Sequence, residues 1–356
     1  MRIMTVVGAR PQFIKEAVVS KELKKKHKEI LVHTGQHYDY NMSESFFEEL
    51  SIPKPDYNLG ISGGSHAEMT AKMLIALEDV IKKESPDWIC LYGDTNSTLA
   101  AALAAAKLHV PICHVEAGIR THSFTNPEEI NRICTDHVAS LLLAVSESSM
   151  EDMNKEGLGK RGVFVGDPMY DAFLQYSGIK KIQDIELALL NGLRIDVPQD
   201  YYLMTCHREE NTDERKLIHI LDAMEELDSK VIYPVHPRNR ERVLKLCHSK
   251  GYNNILLSEP VGYLESIGLV NGAKKIITDS GGLQREAFFA GKQCITILDF
   301  VCWPETMANC RNQLAKAEKA DILAKISVEQ TLDLAYKPFG DGHSAERIVS
   351  AIEEYK

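Results

Sequence analysis

Nothing in this chain of 356 residues approaches the roughly 20 consecutive apolar residues of a membrane-spanning helix. Its start, MRIMTVVGARPQ, enters a strand-like run directly, without the apolar core and small-residue cleavage site of a secretory signal. Short-period repeats and low-complexity tracts are absent as well, which argues against a solenoid. None of the 8 cysteines, at 90, 113, 134, 206, 247, 294, 302 and 310, forms a C-x-x-C pair. Most lie in apolar strand-like surroundings and read as reduced and structural, which points to the cytoplasm. Positive charge is the scarcer sign: 41 Lys and Arg against 51 Asp and Glu give a net charge of -10. That balance argues against nonspecific nucleic-acid binding. A small anionic ligand remains compatible, because local backbone amides bind phosphate inside an acidic protein.

What the chain does have is a series of short apolar runs separated by helical patterns. The runs are RIMTVV (2–7), EILVHT (29–34), DWICLY (87–92), VPICHV (110–115) and LLLAVS (141–146). The series resumes with YYLMTC (201–206), KVIYPV (230–235), NILLS (254–258), KKIIT (274–278) and QCITIL (293–298). Continuous rather than alternating apolar character marks parallel strands buried on both faces. Strand and helix in repeated alternation predict an α/β fold with parallel sheets, and a chain of this length predicts two Rossmann-like domains. The break falls between about 168 and 199, where GIKKIQDIELALLNGLRIDVPQ has helical character and ends in a polar turn. The predicted division is 1–168, a helical connector at 169–199, and 200–356. A cleft between the halves is the expected ligand site.

In open α/β sheets ligands bind where strands end and helices begin, so polar residues at those points carry the functional signal. After the first strand, GARPQFIK (8–15) places Arg10 and Lys15 near a helix start, where the dipole does not favour cations. Holding an anion explains them better. The motif is not G-x-G-x-x-G, so it does not indicate a dinucleotide. Gln36 and His37 follow the second strand as possible ligand contacts, with ordinary loop residues as the slightly favoured alternative. Asp94 ends the strand before Thr95, Asn96 and Ser97; with those cap candidates beside it, Asp94 would be redundant as a cap alone. Glu116 directly follows an apolar strand, where burial would raise its pKa and suit it to acid or base work. Glu128 and Glu129 follow Pro127 at a helix start, where acids are common for dipole reasons. His207 and Arg208 end the first strand of the second half, and His236 occupies the matching place after the next. Neither His207 nor His236 has a closely spaced histidine beside it, so no metal is expected.

TDSGGLQREA (278–287) poses a choice between a nucleophilic serine and a phosphate cradle. A nucleophile elbow reads G-x-S-x-G, but Thr278 stands where its first glycine belongs. Ser280, Gly281 and Gly282 instead open a helix after a strand, where free amides and the dipole favour phosphate. Glu286, about one turn further on, is placed to reach ribose hydroxyls.

Taken in order from residue 8 to 348, GARPQFIK, TGQHYDYN, YGDTNSTLAA, HVEAGIR, PEEINR, HREEN, YPVHPR, TDSGGLQREA and GDGHSAERI resemble the non-hydrolysing UDP-N-acetylglucosamine 2-epimerases. The wording of RPQFIK, GQHYDYNMS and YGDTNSTLA is most similar to the branch with UDP-2,3-diacetamido-2,3-dideoxyglucuronate 2-epimerases. The resemblance implies a glycosyltransferase-B-like fold, usually dimeric, with UDP held mainly by the C-terminal domain and no NAD or metal. It implies anti elimination of UDP to a 2-acetamidoglucal and syn re-addition. On this reading Asp94, Glu116 and Glu128 are the acid/base candidates and His207 the functional histidine. Glu286 is the ribose ligand, and His236 and Gln36 lie near the nucleotide or a regulatory region. The partners implied are a UDP-sugar and a second copy of the chain.

Two departures qualify the resemblance. In LDFVCWPETM (298–307), Leu298 and Cys302 replace the Arg and Glu that the family usually has. Lys72 stands where members often have an Arg of an allosteric site. A hydrolysing relative, a glycosyltransferase of the same fold, and a UDP-sugar-binding protein without catalysis are the competing expectations.

Overall fold

The computed structural model describes residues 1–36, 47, 49–333 and 335–355. The chain divides into two compact units, Met1–Gln175 with Lys337–Lys356, and Tyr176–Tyr336.

In the first unit the apolar runs become β1 (Arg2–Val7), β2 (Lys28–His33), β4 (Trp88–Tyr92), β5 (Ile112–Ala117) and β6 (Leu141–Ala144). Short edge strands β3 (Tyr57–Asn58) and β7 (Gly162–Phe164) complete a parallel sheet in the order β3-β2-β1-β4-β5-β6-β7. Val6, Val32, Ile89, Leu91 and Leu142 belong to its core, with Ala100, Ala101, Ala104 and Ala105 of the helix Asn96–Lys107 packed close against the strands. The small side chains let that helix approach the sheet. The last helix, Ser344–Glu354, belongs to this unit. Its buried Ala345, Ile348, Val349 and Ile352 fall at helical spacing, and it packs on the helix Arg10–Leu23. Nearby, Lys26 pairs with Glu353 at 3.0 Å, and the Tyr355 ring meets Trp88 edge-on at 5.0 Å.

The second unit repeats the scheme. Strands β10 (Tyr201–Thr205), β11 (Lys230–Pro234), β12 (Ile255–Ser258), β13 (Lys275–Thr278), β14 (Gln293–Ile297) and β15 (Asn312–Ala315) form a parallel sheet in the order β12-β11-β10-β13-β14-β15. In both sheets the strand order reverses beside the first strand: between β1 and β4, and between β10 and β13. At such a switch point the helices on either side leave toward opposite faces, which opens a crevice at the strands' carboxyl ends.

The connector corrects the expectation of a helical 169–199. Only its beginning, Pro168–Tyr176, is α-helix. A short 3-10 turn, Ile182–Asp184, is followed by the antiparallel hairpin β8 (Glu186–Ala188) and β9 (Arg194–Asp196). Leu, Ala and Glu favoured the helical reading, but Asn191-Gly192 decides the local structure. Gly192 sits at φ +88, and the Leu189 amide donates to the Leu193 carbonyl at 2.8 Å, which closes the loop. Buried Leu187 then anchors the hairpin to the core of this unit.

Candidate functional site

At the first switch point, Gly8 is required for space rather than for its backbone angle. A methyl group there would overlap the hydroxyls of Ser97 and Thr34. Gln12 ties the turn to the neighbouring strand: its Oε1 accepts from the Gly8 and Ala9 amides at 2.7 and 3.0 Å, and its Nε2 donates to the Tyr92 carbonyl at 2.6 Å. Arg10 is the first residue of the helix Arg10–Leu23. Gln36 accepts from the Ser97 amide and hydroxyl at 3.1 and 2.7 Å, so it secures the start of the helix that follows Asp94. His37 lies outside the described residues.

Asp94 is not a helix cap; Thr95 fills that place, accepting from the Thr98 amide. The Asp94 carboxylate pairs with Arg132 at 2.5 Å. Burial alone would raise its pKa, but the charges of Arg132 and Lys15 prevail and hold it below the usual range. Glu116 is buried and forms an ion pair with Lys15, which is 3% exposed. Glu116, expected to be buried after an apolar strand, thus has a buried cation beside it, and Lys15, expected to hold an anionic ligand, pairs with a carboxylate of its own chain. Gly93 at φ +61 makes room for the pair, since a side chain there would begin 3.2 Å from the Glu116 carboxylate. Glu116 itself holds φ +76, a left-handed angle that a non-glycine residue keeps only when its surroundings enforce it.

Of the two acids after Pro127, Glu128 is exposed in the first turn and Glu129 is buried. Glu129 accepts from the Thr121 and His122 amides at 2.9 Å each and pairs with Arg132 at 3.0 Å. Arg132 thereby joins Glu129 to Asp94. Neither Arg132 nor Gln12 stands out in the sequence, because the bonds that tie the site together, Arg132 to Asp94 and Gln12 to the Tyr92 carbonyl, span long stretches of chain.

At the second switch point the organising residue is Asp279, also not singled out by the sequence reading. It is 1% exposed and accepts from the His207 amide at 2.9 Å and the Arg208 amide at 2.9 Å. His207 Nδ1 lies 2.8 Å from its Oδ1, which leaves Nε2 for a ligand. Burial would raise the Asp279 pKa, but the His207 contacts and these amides bring it below the usual range. The signal that could have found it is a lone Asp directly after a strand, KIIT, whose last three residues are buried. The His207 ring lies over that of His236, with centroids 6.4 Å apart at 25°. Arg208 donates through Nε to the Asp279 carbonyl at 2.9 Å and stands over the Phe300 ring.

The Ser280 hydroxyl accepts from the Leu283 amide at 3.3 Å, the geometry of a helix cap. Its own amide donates to Thr278 Oγ1 at 2.9 Å. The expected three-amide cradle therefore reduces to Gly281 and Gly282, first residues of the helix Gly281–Phe289. Glu286 is buried in that helix.

With both switch points described, comparison with known proteins becomes informative. A family profile described as UDP-N-acetylglucosamine 2-epimerase matches residues 21–353. The chain belongs to the UDP-N-acetylglucosamine 2-epimerase family. It is an epimerase with a glycosyltransferase-B-like α/β fold. It is 46% identical to a UDP-N-acetylglucosamine 2-epimerase homolog of Methanococcus maripaludis, over 99% of each chain. It is 44% identical to the UDP-2,3-diacetamido-2,3-dideoxy-D-glucuronate 2-epimerase of Pseudomonas aeruginosa, over 98% of each. The crystal structure of the Methanocaldococcus jannaschii UDP-GlcNAc 2-epimerase in complex with UDP-GlcNAc and UDP superposes with a TM-score of 0.89. That pair is 37% identical, with 100% of both chains covered.

Of the departures from the family pattern, Lys72 lies in the first unit, while Leu298 and Cys302 lie in the second. Leu298 is buried at the wall of a pocket of about 270 Å3 bordered by Asn211, Arg215, His219 and Lys316. The Cys302 sulfur lies about 4.0 Å from where a side chain on Gly281 would begin, so that departure borders the glycine turn. GLGKRG (157–162) matches G-x-G-x-x-G, but it follows the helix Glu147–Lys155 and leads into β7, the reverse of the dinucleotide order. His33 and His37 have the close spacing that His207 and His236 lack, yet the His33 ring is buried against Phe13 at 5.2 Å. Among the described residues no group of three His, Cys, Asp or Glu could hold a metal ion. Among those residues, too, no helix is long and apolar enough to cross a membrane.

Proposed function

We propose that the chain interconverts the C2 epimers of a UDP-2-acetamido sugar, either UDP-N-acetylglucosamine or its 2,3-diacetamido uronic analogue. A base removes the C2 proton while the C1–O bond breaks and its electron pair leaves with UDP. Anti elimination gives a 2-acetamidoglucal. Syn re-addition of UDP to C1, with a proton delivered to the other face of C2, gives the epimer. C2 is weakly acidic, so UDP departure needs electrostatic assistance.

The observation that carries this reading is the pair of carboxylates at the first switch point. Asp94 and Glu116 are each matched to a cation, Arg132 and Lys15, within a chain whose relatives are named as 2-epimerases. Opposed-face proton transfer calls for two acid/base groups in different environments. Asp94, Glu116 and exposed Glu128 are the candidates for them. His207, Arg10, Arg208 and the Gly281 and Gly282 amides hold the diphosphate, Glu286 holds the ribose, and Lys15 remains the counter-ion of Glu116. Gln36 and His236 support the nucleotide region.

The enzyme acts as a homodimer in the cytoplasm. Exposed Ile75 and Ile130 sit on helices that both pack against the helix Asn96–Lys107, whose Leu99 and Leu103 are half-buried. A second copy would cover such an apolar strip. Ile130→Asp should shift the sedimentation coefficient to that of a monomer. All eight cysteines are free thiols, which fits a reducing compartment.

Incubation with each UDP-sugar in deuterated water tests the reaction. Epimerisation places one deuterium at C2 and conserves the UDP-sugar. Stoichiometric free UDP would instead indicate a hydrolase. Tight UDP binding without exchange on any UDP-sugar would leave a binding protein.

A further inference from the structure

We infer that a connected chain of polar and charged side chains, His114–Asp136–Arg120–Glu156, buried at its inner end, positions the two carboxylates Asp94 and Glu116; the inference rests on reading those two as the acid/base groups. His114 lies in β5, two residues before Glu116. Its Nε2 bonds the carbonyl of Gly93 at 2.7 Å, one residue before Asp94. Its Nδ1 bonds Asp136 Oδ1 at 2.7 Å. The ring therefore stands between a backbone carbonyl and a carboxylate. Asp136 Oδ2 accepts from the amide of Gly118, two residues after Glu116, at 3.1 Å and pairs with Arg120 at 2.8 Å. Arg120 in turn grips Glu156 with two bonds of 2.7 Å. One connected set of side chains therefore holds the backbone on both sides of Glu116 and immediately before Asp94.

The strand ladder alone does not hold these positions. The β5–β6 register shifts between Val115 and Ala117, so Glu116 stands at an irregularity of the pairing. Gly93, Glu116 and Gly118 all have left-handed angles, φ +61, +76 and +81, so both gripped segments depart from strand geometry. The chain runs from the interior outward: His114 and Asp136 are 0% exposed and Arg120 is 6% exposed, while Glu156 is an exposed residue at its outer end. Burial would raise the Asp136 pKa, but His114 and Arg120 keep it below the usual range. Buried ion pairs commonly do no better for stability than apolar side chains of the same volume. Fixed geometry at the two carboxylates is the return that explains this one. Gly93 and Gly118 are contacted through the backbone, so the four side chains act as positioning residues and not on the substrate.

Asp136→Asn tests the inference, with C2 exchange, kcat, KM and UDP affinity measured beside the unaltered enzyme. The expected result is a kcat about a hundredfold lower, as for displacement of catalytic groups by about 1 Å. KM and UDP affinity should stay within about threefold, since that residue makes no ligand contact. Unchanged kcat, or a loss of UDP affinity in proportion to kcat, overturns the inference. Absence of C2 exchange in the unaltered enzyme overturns the epimerase reading beneath it. If Asp136→Asn does not fold, Glu156→Gln decides, since Glu156 lies at the outer end of the chain. A kcat about threefold lower at constant KM supports the inference, and an unchanged kcat overturns it.

Discussion

The two switch points use charge in opposite ways. In the first unit opposite charges are matched side by side, Lys15 with Glu116 and Arg132 with Asp94. In the second, one buried carboxylate, Asp279, engages backbone amides and a histidine. His207 and Arg208 remain 43% and 32% exposed at their side chains. Proton transfer needs carboxylates whose charge and position are controlled, which buried counter-ions provide. Holding a diphosphate needs donors left over for the ligand, which an amide-rich turn and a part-exposed histidine and arginine provide. The same strand-end architecture thus suits chemistry in one unit and binding in the other.

The sharpest way to break that division is Asp94→Asn. It should lower kcat on the order of 10^3-fold, the scale of a lost acid or base, while UDP affinity in titration calorimetry stays within about threefold. A comparable loss of UDP affinity would erase the distinction between the units. Asp279→Asn is the counterpart. It should lower kcat by about a hundredfold and weaken UDP binding by about tenfold, because His207 and the Arg208 backbone lose their common acceptor. Loss of kcat with intact UDP binding would move the second switch point into the chemistry.

Glu16 sharpens the comparison through stability. It is buried in the first unit, and burial, followed by the charge of Glu29, pushes its pKa to about 8 from 4.5. Its folded value exceeds the unfolded one, so the folded state binds the extra proton. The first unit should lose stability as pH rises from about 4.5 to about 8 and be unaffected below that window. Glu16→Gln should remove the slope and raise stability at pH 8.5 on the order of a few kcal/mol. Calorimetric melts at pH 5 and 8.5 measure it, and a variant as pH-sensitive as the parent would contradict the assignment. The smallest effect belongs to Gly281→Ala. The nearest atoms to an added methyl lie 3.7 Å away or more, so the fold should tolerate it. UDP affinity should fall about fivefold, as the backbone can no longer come as close to phosphate. Unchanged affinity would remove that turn from the binding site.

The long strands were legible because parallel strands buried on both faces leave continuous apolar runs. The short ones were not. β3 has two residues, and β15, NQLA, is half polar, so neither leaves a hydrophobic signal. The hairpin β8–β9 reads as helix by propensity, and the Asn-Gly turn outweighs it. Asp94, Glu116 and His207 were legible as polar residues closing apolar strands. The residues that hold them were not: Arg132 reaches Asp94 and Asp279 reaches His207 across long loops of sequence, and such partners are fixed only by the fold. Lys15 was legible as a cation near a helix start, yet its role as the partner of Glu116 depends on β1, β4 and β5 lying side by side.

The most direct test of the division between the units is deuterium wash-in at C2 by Glu116→Gln under saturating UDP-sugar. The account predicts exchange reduced on the order of 10^3-fold, with UDP affinity within about threefold of the parent enzyme. Exchange at the parent rate would contradict it, and the proton chemistry would then have to be sought away from the first switch point.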